Sequence, residues 1–262
     1  MMKNDLKNKK ILYTLIGIIA IFILWELLAL LINQSILLPT PIETIEKAFS
    51  LVLEKETHIA FFNTGLRAII GFLVAFILGA IFGIIASQSY PFKCAFAPFI
   101  SVLRATPTMS IILLAVIWFN PDVSPAFIGF LIIFPIIYER FYSALLSIDP
   151  KLIEMSKVYN VSKKDKIIKL YLPSIRKSVL SMAKSAISLN VKVVIAGEVL
   201  AYTAKSIGMQ MYITKLDIAT ASLFAWTIYA LMLSLIFECV IMLIDHLTDP
   251  VKIRNRKIKK QC

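Results

Sequence analysis

The stretch DPKLIEMSKVYNVSKKDKIIKLYLPSIRKSVLSMAK, residues 149–184, decides how the rest of this chain is read. It holds nine Lys/Arg against three acids (Asp149, Glu154 and Asp165), so it supplies half of the formal net charge of +12. It interrupts sequence that is otherwise mostly apolar. A loop that only joins two membrane helices needs a few residues. This one is long, patterned and amphipathic, and is expected to touch a partner on the basic side of a membrane.

Its pattern predicts two helices about a turn. Asp149-Pro150 is an N-cap acceptor followed by proline at the first helical position. Leu152, Ile153, Met155 and Val158 follow as an apolar stripe at helical spacing. The first helix is expected to stop near Tyr159-Asn160, because asparagine tolerates the left-handed conformation that ends helices. Ser162 and Asp165 form a capping-box-like S-x-x-D for a second helix. That helix alternates Ile167, Ile168, Leu170 and Tyr171 with lysines, and Pro173 is expected to end or kink it.

Outward from this stretch, the 262 residues are 59% hydrophobic and only 17% charged, and mean hydropathy is +0.82. Ordinary soluble domains run at about 45–50% apolar and about 25% charged. The composition predicts an all-α polytopic membrane protein. Two His and three scattered Cys (Cys94, Cys239, Cys262) offer neither a metal centre nor a disulfide framework. The basic charge sits at loops and termini, which favours membrane topology over nucleic-acid binding.

A crossing needs about 20 apolar residues. Six runs qualify or nearly so: 11–32, 62–86, 96–119 (interrupted by Pro98 and Pro107), 125–146, a short fifth run 187–202, and 219–244. The first is too long for a signal-peptide core and lacks a small-x-small cleavage site, so a retained helix is expected. Six crossings put both termini on one side. Twenty Lys/Arg then fall on the inside and four on the other, which orients residues 149–184 and both ends toward the cytoplasm. The expected organisation is a basic tail over 1–10, a six-helix domain over 11–245 with a cytoplasmic loop at 149–184, and a basic tail over 246–262. Gly71, Gly79 and Gly83 in the second run are expected to allow close helix packing.

The loop also resembles the cytoplasmic signature of ABC importer membrane subunits: Glu-Ala-Ala, three residues, Gly, nine residues, Ile-x-Leu-Pro. Here the same spacing reads Glu154-Met155-Ser156, three residues, Asn160, nine residues, Leu170-Tyr171-Leu172-Pro173. Further matches are similar to the nitrate/sulfonate/taurine-type branch. They are Trp25-Glu26, Leu37-Leu38-Pro39-Thr40-Pro41, Gly65-Leu66-Arg67 through Gly71-Phe72, Arg104-Ala105-Thr106-Pro107, Trp118-Phe119-Asn120 and Gly197-Glu198. The resemblance runs from about residue 20 to 245.

It implies a type I ABC importer permease fold in a bacterial cytoplasmic (inner) membrane. It further implies a second permease subunit, a pair of cytoplasmic ATPase subunits and an extracytoplasmic substrate-binding protein. The residues it assigns to ATPase coupling are Glu154, Met155, Ser156, Asn160, Val161, Ser162, Leu170, Leu172 and Pro173. The chain has no G-x-x-x-x-G-K-[ST] phosphate loop, so ATP is expected to be bound by the partner, with no cofactor or metal in this chain and no catalytic residue. The solute implied is a small anion or a vitamin precursor.

Charged residues inside the apolar runs are costly in lipid and face protein or water. Arg104, Pro107 and Glu198 are the candidates for a translocation path or gate, against the reading that such groups pair between helices. Lys192, taken as about four turns from the cytoplasmic end of a short helix, is expected to snorkel. Two other classes compete with this reading. An intramembrane hydrolase would need a nucleophile beside a histidine, and neither G-x-S-x-G nor H-E-x-x-H occurs. An ion-coupled secondary carrier would usually show an internal repeat, and none is visible.

Overall fold

The computed structural model describes residues 2–248, with side chains from Leu12 onward except Lys163. The basic carboxyl-terminal segment expected to lie in the cytoplasm falls outside the described residues beyond 248. Every regular element among the described residues is helical. In chain order they are α1 (Met2–Ile32), α2 (Pro41–Val52), α3 (Lys55–Gln88), α4 (Tyr90–Ala105), α5 (Thr108–Trp118), α6 (Ser124–Leu146), α7 (Pro150–Val158), α8 (Lys163–Lys166), a π-helical turn (Ile167–Tyr171), α9 (Leu172–Ala201), α10 (Ile207–Leu216) and α11 (Thr220–Thr248).

Five helical stretches are long and apolar enough to cross a bilayer: 12–32, Lys55–Gln88, Ser124–Leu146, Lys164–Ala201 and Thr220–Thr248. The run over 96–119 is a pair, α4 and α5, bent by 97° at the break, and it makes a sixth span only when the two are counted as one crossing. The break lies at Thr106-Pro107. A residue before proline is pushed out of the helical region, and Thr106 is extended at φ −67°, ψ 125°. Pro98 remains inside α4 and does not break it.

The expectation at Pro173 needs correction. The proline does not end the helix: the chain passes through the π-turn directly into the 30-residue α9. The turn around the proline is widened. The Leu172 N–H reaches back five residues to the Ile167 carbonyl, and the Ser174 hydroxyl donates to the Leu170 carbonyl at 2.6 Å. Proline then stands in the first turn of α9, where its missing N–H costs little. The fifth run is therefore no short helix; it is the outer end of a long rod that begins in the loop.

α3, α6 and α9 form the centre, with α11 packed on α9. A Cβ on Gly71 would lie 2.5 Å from the Ala126 carbonyl oxygen, and one on Gly83 would lie 2.7 Å from that of Tyr138. These glycines therefore set the α3–α6 separation, as close membrane packing requires. Their seam buries Phe72, Ala75, Ile133, Ile137 and Phe141. α9 is joined to α3 by the buried Asn190, whose amide donates to the Ala68 carbonyl at 2.6 Å. It meets α11 through the Ser188–Ser234 hydroxyl pair at 2.7 Å and the Lys184–Glu238 ion pair at 3.4 Å. α1 lies at the edge, apolar and exposed over most of its length. It is anchored by Trp25, whose indole donates to the Pro39 carbonyl at 3.0 Å and stacks on Phe224.

Two short helices were not anticipated from the sequence. α2 carries a full capping box between Thr40 and Glu43, the reciprocal arrangement that satisfies two N-terminal donors. α10 starts at Ser206, whose hydroxyl accepts from the Met209 N–H at 3.0 Å.

Candidate functional site

The loop 149–173 folds into the helical hairpin its sequence predicts. The Asp149 carboxylate accepts from the Lys151 N–H at 2.9 Å, a cap worth about 1 kcal/mol. At the other end Asn160 is left-handed, φ 48°. The Val161 N–H bonds the Ser156 carbonyl and the Asn160 N–H bonds the Lys157 carbonyl, both at 3.0 Å. That pair of bonds is the Schellman closure of a helix. Ser162 then starts α8: its hydroxyl accepts from the Asp165 N–H at 3.1 Å and donates to the Asp165 carboxylate at 2.9 Å. The Lys169 ammonium lies 2.7 Å from the same carboxylate.

The two faces of α7 differ. Ile153 and Ser156 turn inward; Ser156 is buried and its hydroxyl donates to the Ile153 carbonyl at 2.6 Å. Leu152, Met155, Val158 and Tyr159 are exposed, Val158 and Tyr159 by about three quarters. Glu154 is exposed beside them. A lone helix end rarely shows so much apolar surface without a partner. Leu172 and Pro173 are exposed and Leu170 is half-buried. Between this hairpin and the inner ends of α3 and α6 lies a cavity of about 600 Å³, mainly apolar, reached by Ile84, Leu145, Ile153, Tyr171 and Ile175. The hairpin is thus fused end to end with α9, while space remains beneath it.

Arg104 and Pro107 lie at and near the α4–α5 break. The Arg104 guanidinium pairs with the Glu139 carboxylate of α6. Both line a cleft of about 510 Å³ with Lys93, Ser101, Tyr138 and Tyr142. Ala97, Ile100 and Ala105 complete its lining, which mixes charged and apolar side chains.

Glu198 is placed differently, fully buried near the outer end of α9. Its Oε2 accepts from the Thr64 hydroxyl at 2.9 Å and the Gly208 N–H at 3.2 Å. Its Oε1 accepts from the Arg67 guanidinium at 3.2 Å. Arg67 also pairs with Asp122 at 2.9 Å, and the Ile207 N–H donates to the Thr64 hydroxyl at 3.0 Å. One carboxylate thus ties α3, the 121–122 turn, α9 and the N-terminus of α10. Free N–H groups at a helix start favour a negative charge there. Gly208 is required by the closeness of the contact, since a Cβ there would collide with the Glu198 side chain. Sequence reasoning left Arg67 out of this site. The available signal was that an arginine six residues inside an apolar run needs an acid partner, but nothing in the spacing identifies an acid 131 residues away.

The structure therefore does not gather all the predicted residues into one site. The hairpin residues form one element at one end of the bundle, Arg104 and Pro107 a second locus at the α4–α5 break, and Glu198 a third at the opposite end from the hairpin.

Known structures share this architecture. A bacterial ABC transporter involved in import of the acidic polysaccharide alginate superposes with a TM-score of 0.62 at 16% identity, over 94% of this chain and 97% of that one. The MetNI methionine ABC transporter in an inward-facing conformation gives 0.57 at 14% identity, over 70% and 93%. At these identities the likeness is one of fold. A Bacillus subtilis (strain 168) protein, provisionally named aliphatic sulfonates transport permease protein SsuC, is 28% identical over 156 residues. The match spans 59% of this chain and 56% of that relative's length. Residues 75–251 match the family model for the binding-protein-dependent transport system inner membrane component, and with the helical bundle and its hairpin described, the chain belongs to that family of multi-pass transporter permeases.

Proposed function

We propose that this chain forms the translocation path of an ABC importer in a bacterial inner membrane and couples ATP hydrolysis by partner subunits to uptake of a small anion. The cargo class follows the relative named for aliphatic sulfonates. Two copies of the chain face each other, a pair of ATPase subunits docks from the cytoplasm, and a binding protein delivers solute from outside. ATP is bound by the partner ATPase.

One observation carries the reading: a doubly capped hairpin with an exposed apolar face is continuous with a membrane-crossing rod. Leu152, Met155, Val158 and Tyr159 provide the surface that an ATPase groove would cover. Schellman closure at Asn160 and the cap at Asp149 stiffen α7, and a stiff element transmits displacement better than a flexible linker. Ser156 is small because it faces the protein interior, while Glu154 and Met155 face outward. Motion of the hairpin would pass through the π-turn into α9 and, through its packing, into α6. Arg104 and Pro107 lie where the broken span can change its angle. Glu198 contributes as a strut that fixes the outer ends of α3, α9 and α10.

The test is reconstitution in liposomes with ethanesulfonate as the probe. Uptake should require the ATPase, the binding protein and ATP. Uptake by this chain alone under a proton gradient would replace this reading with that of an ion-coupled secondary carrier.

A further inference from the structure

The exposed faces of the membrane-crossing helices are of two kinds. Over residues 66–85 of α3 every exposed side chain is aliphatic, and over 231–244 of α11 every one is apolar, Cys239 included. These faces suit lipid. α9 differs. Ser174, Ser181, Ser185 and Lys192 are all exposed, and their spacings of seven, four and seven residues place them within about 40° of one another on the helix. Beside this stripe, α6 exposes Arg140. A cleft of about 200 Å³ between the two helices is lined by Arg140, Ser181, Ser185 and Leu189, among others.

Lys192 stands well inside the rod. Because α9 begins at Leu172, Lys192 stands about 30 Å along the rod from its inner end and about 13 Å from its outer end at Ala201. Three acids of the long spans are paired, Glu198 with Arg67, Glu139 with Arg104 and Glu238 with Lys184, while Glu26 of α1 has no ion pair among the described residues. Lys192 and Arg140 have no ion-pair partner among the described residues. An unpaired ammonium at this depth is costly against hydrocarbon and tolerable against water.

We propose that this α6–α9 face is the solute-facing wall of the path, and that Lys192 is the cation a small anion meets midway, with Arg140 next on the inner side. This rests on the permease reading above. Electrostatic complementarity selects the occupant, since two unpaired cations attract an anion and repel a cation.

The test uses the full complex in proteoliposomes, with Cys94, Cys239 and Cys262 replaced by serine and Ala196→Cys, one turn from Lys192, as the reporter. Two methanethiosulfonates of similar size are compared, 2-sulfonatoethyl (anionic) and 2-trimethylammonioethyl (cationic). Both should label Cys at 196, and the anion-to-cation rate ratio should fall about tenfold when Lys192→Gln is added. Lys192→Arg should preserve both the ratio and ethanesulfonate uptake, whereas Lys192→Gln should lower uptake about tenfold. If Lys192→Gln does not assemble, raising salt on the Lys192 protein should shrink the ratio instead. Absence of labelling by either reagent means that lipid or a second copy covers the face, and overturns the proposal. So does a ratio indifferent to both Lys192→Gln and salt. ATP-dependent uptake retained in either case leaves the permease reading standing and removes this inference alone.

Discussion

Glu198→Ala is the perturbation whose cost the structure specifies most closely. It removes an acceptor from the Thr64 hydroxyl, the Gly208 N–H and the Arg67 guanidinium at once. The Arg67 side chain is only 12% exposed, so water replaces the lost carboxylate poorly. Breaking a buried ion pair by removing one partner costs about 3–5 kcal/mol. Arg67 keeps its bond to Asp122, but that acid is 79% exposed, and exposed pairs contribute about 0–1 kcal/mol. The expected loss is therefore about 3 kcal/mol. For a chain of this size each kcal/mol moves Tm by about 2–4 °C, so Tm should fall by about 6–12 °C. Glu198→Gln keeps a carbonyl acceptor and should cost about half as much. The Arg67→Ala/Glu198→Ala double variant should lose less than the sum of the single variants, because each single change strands the other partner. The assay is thermal unfolding in detergent, followed by tryptophan fluorescence. A Tm within about 2 °C of the parent for Glu198→Ala, or strict additivity in the double variant, would refute the argument that this network holds the outer ends together.

Three further outcomes follow from named contacts. Asn160→Gly should leave transport intact, since glycine adopts positive φ freely, while Asn160→Val strains the turn by about 1–2 kcal/mol and should uncouple ATP hydrolysis from uptake; normal transport by the valine variant would remove the turn's role. Ser156→Ala should be tolerated, whereas Ser156→Leu overpacks the inner face of α7 by about 1–3 kcal/mol and should abolish ATPase association in pull-downs. Gly71→Ala drives a methyl onto the Ala126 carbonyl and should lower stability by about 1–3 kcal/mol; Gly17→Ala, with nothing within 4 Å, should not change it.

The hairpin was legible because its determinants are local. Asp149, Asn160 and Ser162 act on backbone groups within a few residues, so sequence spacing is enough to find them. The glycines of α3 were legible as packing residues because a lack of side chain is itself the signal. Pro173 misled because proline normally breaks a helix, and nothing in the local spacing announces the π-turn that precedes it. Mistaking the length of α9 followed from this, and with it the depth of Lys192. The Glu198 network was hidden for another reason. Its members are separated by more than a hundred residues, and only the assembled bundle brings Arg67, Thr64 and Gly208 to one carboxylate.

The central claim is that the 149–173 hairpin is the contact through which an ATPase moves the membrane helices. It is tested most directly by crosslinking from the hairpin in the assembled transporter. A cysteine at Ser162, in a background lacking the native cysteines, should crosslink to the ATPase subunit, with a yield that changes between the ATP-bound and nucleotide-free states. Crosslinking to lipid or to the binding protein instead, or failure to reach the ATPase from Ser162 and from neighbouring exposed positions such as Tyr159 and Val161, would contradict the account.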